Sequence, residues 1–193
     1  MTGGYLELQT GPWVFRLSYA NIVFRNDLPL GSVLNTYLPP TVAQQSVDYL
    51  TTAYTRSHYY AFGAVYDSGP WQLHPMLNHI VQGSNAFQSA DGGYFQLGYR
   101  IGPVTPYAGY SWIRSDQRGN TLNPVVASIM ADGHADQSTT TAGARWDVVR
   151  NVALKAQWDH IHGEPESIFP YRRETKAWTG KMDVFTLTMD FVF

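Results

Sequence analysis

The sequence predicts an all-β antiparallel sheet that crosses a membrane as the wall of a transmembrane β-barrel. Three observations carry this. Hydrophobicity alternates with a period of two, strand-length segments are joined alternately by short and long connections, and the composition is poor in charge but rich in tyrosine and tryptophan. Of 193 residues, 15% are charged and 15% aromatic, the latter from 13 Tyr, 9 Phe and 6 Trp. Soluble proteins average roughly 25% charged residues. Mean hydropathy is nevertheless only −0.25, which suits a surface shared between lipid and water.

About nine strands are expected, at 4–9, 12–24, 57–68, 71–81, 93–101, 104–115, 139–148, 152–162 and 182–193. Trp13, Phe15, Leu17 and Tyr19 alternate with Val14, Arg16, Ser18 and Ala20. Tyr60, Phe62, Ala64 and Tyr66 alternate with Ala61, Gly63, Val65 and Asp67. Phe95, Leu97, Tyr99 and Ile101 alternate with Gln96, Gly98 and Arg100. Ala144, Trp146 and Val148 alternate with Gly143, Arg145 and Asp147, and Leu154, Ala156 and Trp158 with Lys155, Gln157 and Asp159. The last segment is the most regular: Phe185, Leu187, Met189, Phe191 and Phe193 on one face, Thr186, Thr188, Asp190 and Val192 on the other. Most segments run about 9–12 residues, the length a tilted strand needs to cross the hydrocarbon.

Gly11-Pro12, Gly69-Pro70 and Gly102-Pro103 repeat one tight-turn device, with proline expected at a strand's first position. Arg150-Asn151 supplies a fourth short connection. Longer polar stretches near 25–56, 82–92, 117–138 and 164–180 fall between the resulting pairs. Strict alternation of short and long connections is the layout of a transmembrane barrel, tight turns on the periplasmic side and long loops outside. Within the longest loop, 41–54 is expected to be helical. Ala43, Val47, Leu50 and Tyr54 share a face, and Thr41 and Gln44 have the spacing of a capping box just after Pro39-Pro40. Such a helix would narrow the pore or cap its mouth.

In lipid every backbone donor and acceptor needs a partner, so strands cross only as a closed sheet. The apolar faces are then assigned to lipid, and Arg16, Asp67, Arg100, Arg145, Asp147, Lys155, Asp159 and Asp190 to the interior. Trp13, Trp71, Trp112, Trp146 and Trp158 lie near strand ends, where an aromatic girdle is expected. A soluble β-sandwich also alternates, but it has no need for so many terminal Trp and Tyr. There is no cysteine, hence no disulfide framework and no thiolate metal site. No apolar run approaches the ~18 residues of a spanning helix, and the longest, Pro124 to Ala131, stops at Asp132. The net charge of −2 gives no reason to expect nucleic acid. Met1-Thr2-Gly3-Gly4 is unlike a secretory signal, so the expectation is a removed signal or a chain that is part of something longer.

The end, Phe185-Thr186-Leu187-Thr188-Met189-Asp190-Phe191-Val192-Phe193, resembles the C-terminal signature of Gram-negative outer-membrane proteins. Gly143 to Asp147 with Asn151 to Asp159 is similar to the penultimate hairpin of porin-like proteins. The resemblance implies a bacterial outer-membrane location. It also implies recognition of Phe185, Leu187, Met189, Phe191 and Phe193 by the barrel-assembly machinery, and outer-membrane lipid and lipopolysaccharide as partners. Self-association into a homo-oligomer is compatible with it. Bacterial single-chain barrels have an even number of strands, whereas the count here is odd. The chain is therefore expected to be the C-terminal part of a barrel of about 16 strands. The alternative is a smaller closed barrel with one strand overlooked within 30–56.

The leading expectation is a porin passing small hydrophilic solutes through a water-filled lumen. Gly63, Gly98 and Gly143 on the interior face favour open space. The rival is a non-conducting barrel acting as a lipid-modifying enzyme or a structural anchor. Catalysis is set aside, because Ser57 and His58 are adjacent and would point to opposite faces of a strand, leaving no dyad. No cofactor is called for. His160-Ile161-His162 with Glu164 has ligand-like spacing but reads as polar lining of the mouth. Asp132 to Asp136 lacks the alternating carboxylates of a calcium loop.

Overall fold

The computed structural model describes residues 1–116, 124, 126–127, 133–164, 167 and 179–192. Nine strands form one antiparallel sheet in strict sequence order: β1 (Thr2–Thr10), β2 (Trp13–Val23), β3 (Arg56–Ser68), β4 (Trp71–Gln82), β5 (Ala90–Tyr99), β6 (Val104–Ser115), β7 (Asp136–Val149), β8 (Val152–Gly163) and β9 (Lys181–Phe191). Each expected strand is present, most within three residues at either end. β5 starts earlier than the alternation suggests because Ala90, Asp91 and Gly92, which read as loop, lie in the ladder. At Gly93 any side chain would collide with the Trp112 indole. The glycine there makes room for an aromatic ring from the neighbouring strand.

The hairpins are set by backbone chemistry. Thr10 pairs with Trp13, and Ser68 with Trp71, across two-residue turns. Ile101 and Val104 bridge in the same way. Gly11, Gly69 and Gly102 have φ of +54°, +55° and +58°. A left-handed first turn residue followed by proline fits the twist of the flanking strands. The prolines thus sit inside the turns, just before β2, β4 and β6, so that Pro12 lies one position ahead of the strand it was expected to begin. In the fourth hairpin the left-handed residue is second, Asn151 at φ +67°, a position asparagine tolerates.

Among the described residues there is no sandwich. The substantial packing runs between sequence-adjacent strands and between two helices, with no second layer over the sheet among the described residues. The buried apolar cluster lies away from the sheet, in the β2–β3 connection. Here the expected single helix is two, α1 (Leu30–Tyr37) and α2 (Pro40–Tyr49). Leu34, Leu38, Ala43 and Leu50 bury against Val126 of the β6–β7 connection. The missed helix had a signal in the i, i+4 stripe Leu30, Leu34, Leu38. No strand lies within 30–56, so that region holds no overlooked one.

The capping box does not form. Pro39 is the N-cap without a side-chain bond, and Gln44 Nε2 donates instead to Asp48 Oδ1 at 2.8 Å. α2 also stops short of 54, because Asp27 claims the chain beyond it. Asp27 Oδ1 accepts Thr51 Oγ1–H at 2.7 Å, Thr52 N–H at 2.6 Å and Ala53 N–H at 2.8 Å. The bond from the Ala53 amide, then that from the Thr51 hydroxyl, holds this carboxyl below the ordinary carboxylate range. A lowered folded pKa means the clamp contributes fully above about pH 4, the unfolded value. Its contribution is lost as pH falls through the folded pKa. We expect protection of the Thr52 and Ala53 amides, relative to intrinsic exchange at each pH, to drop below pH 4, and to be low at every pH in Asp27→Ala. Protection unchanged from pH 5 to pH 2 would contradict the clamp.

The helix pair is braced on its neighbours. Ser84 Oγ donates to Thr51 O at 2.6 Å, Asn85 Nδ2 to Tyr49 O at 3.3 Å, and Phe24 stacks on Phe87 at 5.3 Å.

Candidate pore-facing wall

Because each cross-strand pair shares a face, the register transmits one face across all nine strands. Starting from Glu7 opposite Arg16, the pairs run through Gly63, Met76, Tyr94, Ser111, Thr139, Ile161 and Met182. Arg16, Asp67, Arg100, Arg145, Asp147, Lys155, Asp159 and Asp190, all expected inside, fall on this face. They come from five strands and the residue just after β5, and no register slip breaks the set. The single irregularity, between Asp147 and Val149, lies at the turn end of β7.

The opposite face is apolar and uncovered. Leu17, Phe62, Leu77, Phe95, Leu97, Leu154, Phe185 and Leu187 are all exposed. A contiguous apolar surface of this extent requires an apolar partner. Aromatics band it at both ends. On the turn side Trp13 packs on Tyr66 with ring centroids 4.8 Å apart, and Trp71 on Tyr99 at 4.7 Å. On the loop side Tyr19 packs on Tyr60 at 5.2 Å and Tyr110 on Trp112 at 6.1 Å. Aliphatic residues lie between the bands, as in a lipid-facing belt flanked by girdles. Phe185, Leu187, Met189 and Phe191 lie on this outward face of β9. Phe193 lies outside the described residues.

On the inward face charges are paired. Arg16 Nη2 meets Glu7 Oε2 at 2.6 Å, and Arg100 Nη2 meets Asp67 Oδ2 at 2.6 Å. Arg145 reaches Asp147 at 2.9 Å and Asp190 at 3.5 Å. Asp159 accepts from Thr141 Oγ1 at 2.6 Å and Gln157 Nε2 at 2.7 Å. Lys155 Nζ stands 5.1 Å over the Tyr107 ring. Pairs this exposed contribute about 0–1 kcal/mol each, so they position charge more than they stabilise the sheet.

Glu7 and Tyr107 were not foreseen. Glu7 lies between Leu6 and Leu8, an alternation that marked it as inward. Tyr107 explains a glycine: a methyl group at Gly143 would collide with its ring, and its hydroxyl donates to Gln157 Oε1 at 2.9 Å. Gly143 therefore seats a flat-lying tyrosine and leaves no open space. Gly98 is likewise approached by Gln72 and Thr105, whereas Gly63 has nothing within contact but Pro75 O at 4.0 Å. Gly63 helps floor a concavity of about 270 Å³ with Arg16, Ala61, Met76 and Tyr94.

The histidines separate by face. Ser57 binds Gln82 inward, while His58 Nδ1 lies 2.9 Å from Tyr19 Oη outward. His160 and His162 share the outward face, yet His160 Nδ1 pairs with Asp183 Oδ1 at 2.9 Å. Glu164 turns instead to His134, its Oε2 lying 3.7 Å from Nε2. The ligand-like spacing of His160, His162 and Glu164 does not assemble them into one site, in keeping with the reading of that trio as lining rather than as a ligand set.

No family model and no curated protein matches the sequence. Among solved structures the chain is similar to the outer-membrane expressed OmpT of Vibrio cholerae. Identity is 11% and the TM-score 0.54, over 98% of this chain and 55% of that one. The chain thus spans about half the length of that structure, and the likeness shows the fold: an antiparallel wall of an outer-membrane β-barrel. A bacterial outer-membrane location accords with that fold. One exclusion is corrected. Catalysis was set aside for want of a Ser–His dyad, but a wall shared with an outer-membrane barrel at 11% identity carries no exclusion of an enzymatic barrel. The loop-side rim also holds His–carboxylate pairs, His79–Asp91 at 2.7 Å and His160–Asp183 at 2.9 Å. The exclusion is withdrawn.

Proposed function

We propose that this sheet is part of the wall of an outer-membrane porin, through whose water-filled lumen small hydrophilic solutes diffuse down their gradients. The observation that supports it is the division of the sheet into one charged face and one exposed apolar face, with every expected interior charge on the former. The short Gly-Pro turns face the periplasm and the long loops the exterior. The outward face of β9 is the strand that the barrel-assembly machinery reads, and lipid and lipopolysaccharide cover the apolar side.

With Glu7 the inward face carries five carboxylates against four fixed cations, most of them neutralised pairwise. Such a wall screens by size more than by sign, since fixed charges bias a pore only where they are uncompensated. Arg145→Glu with Lys155→Glu removes two cations and adds two anions. In planar bilayers under a salt gradient, the reversal potential is expected to move toward that of a cation-selective pore while the barrel still assembles. An assembled protein that never conducts, wild type or variant, would remove the porin reading. It would leave a catalytic or structural barrel, the former favoured by the His–carboxylate pairs at the rim.

A further inference from the structure

We infer that the loop end of the wall carries a divalent-metal site formed by His134, Asp136 and Glu164, suited to zinc. One ligand atom from each residue lies within 4.8 Å of the others. Two are carboxylates and one an imidazole, a mixed N/O set of the kind that binds Zn²⁺ with three protein ligands and one open position. With bonds of about 2.0–2.2 Å a tetrahedral ion needs ligand atoms roughly 3.4 Å apart. His134 Nε2 and Glu164 Oε2 are already 3.7 Å apart, and the three ligand atoms lie within 4.8 Å of one another, so small side-chain rotations of Asp136 and Glu164 bring the set together.

The surroundings hold these residues for ligation. His134 is 5% exposed, and its Nδ1 lies 2.9 Å from Ser115 Oγ. Ser115 spends its one hydroxyl hydrogen on Gln88 Oε1 at 2.6 Å and already accepts Ala135 N–H at 2.9 Å. Toward the imidazole it therefore accepts, and Nδ1 carries the proton. In the neutral ring the lone pair is then on Nε2, the atom facing Glu164. A polar partner that sets the tautomer of a ligating histidine is the usual companion of a metal site.

The backbones are tied as well. Glu164 N–H donates to Asp136 O at 3.0 Å, and Ser167 N–H to Glu164 O at 2.9 Å. Ser167, fully buried, returns its Oγ to Asp136 N–H at 2.9 Å. The start of β7 and the β8–β9 connection are thereby tied together at two of the three ligands. A cleft of about 460 Å³ lined by Asp136, His162 and Glu164 gives entry from solvent. Arg114, 3.9 Å from Asp136 and well exposed, is free to swing aside. A bound ion would tie the ends of the adjacent strands β7 and β8 together at the loop side of the wall.

The test uses the whole protein, folded in detergent, stripped with chelator and dialysed against Zn²⁺ at micromolar free concentration. One equivalent is expected by elemental analysis. His134→Gln and Glu164→Gln should each weaken binding at least about 10-fold, the loss typical of disturbing a metal site. His160→Gln, further along the same outward face and already bound to Asp183, should leave binding unchanged. Heat-modifiable migration on gels checks that each variant is folded. Glu164→Gln alters only an exposed side chain, which keeps the test open should His134→Gln misfold. Zinc uptake by the wild type no greater than by the His134→Gln/Glu164→Gln pair, or uptake insensitive to Glu164→Gln and lost in His160→Gln, overturns the assignment.

Discussion

Phe95→Arg is expected to destabilise the wall by several kcal/mol, while Gln96→Arg, one residue away, leaves it nearly unchanged. Phe95 is mid-strand in β5 on the outward face, opposite Pro75 and Tyr110. Gln96 is on the inward face, opposite His74 and Gly109. An arginine facing lipid at mid-depth costs roughly 2–4 kcal/mol, whereas one facing water costs little. Loss of the Phe95 ring from the apolar belt adds to the first figure. Urea unfolding in lipid vesicles, followed by tryptophan fluorescence, reads both values. Equal costs would mean that the two faces see the same medium, and a larger cost for Gln96→Arg would invert the wall.

The second large effect is expected in the helix pair. Leu34, on α1, is fully buried against α2 and Val126, the one place among the described residues where this protein has an apolar core of the ordinary kind. Leu34→Ala leaves a cavity there, and such truncations cost about 2–5 kcal/mol. The loss should be local, because the helices touch neighbouring connections and the ladder is held by its own backbone bonds. Hydrogen exchange should show the amides of Leu38 and Leu50, which donate to Leu34 O and Ser46 O, losing most of their protection. The amides of β3 and β4 should keep theirs. Loss of protection in the strands as well would show that the helix pair supports the sheet, and no loss at all would show that Leu34 is not the anchor of the pair.

Strand positions and the sorting of side chains between faces were legible in the sequence because both are local. Period-two alternation needs only neighbours, and Gly-Pro turns two residues long leave a hairpin one register to adopt. Arg145 and Lys155 could be placed on one face from the apolar alternation of their own strands. The Arg150-Asn151 turn alone would pair Arg145 with Ala156, and the bulge between Asp147 and Val149 shifts it onto Lys155. Contacts between elements distant in the chain were not legible. Tyr107 lying over Gly143, Val126 completing the helix cluster, and Glu164 meeting His134 instead of His162 each join segments separated by a loop. In a loop no repeating period says which residue faces which. α1 was overlooked for a related reason: eight residues give two helical turns, too short for a period of 3.6 to stand out from a polar stretch. Local sequence patterns alone point to a membrane-crossing antiparallel wall with charge on one side. Which charges pair across the strands and which glycines seat rings follows from the assembled fold. That fold also brought His134, Asp136 and Glu164 together, because these depend on where separate loops and strands come to rest against one another.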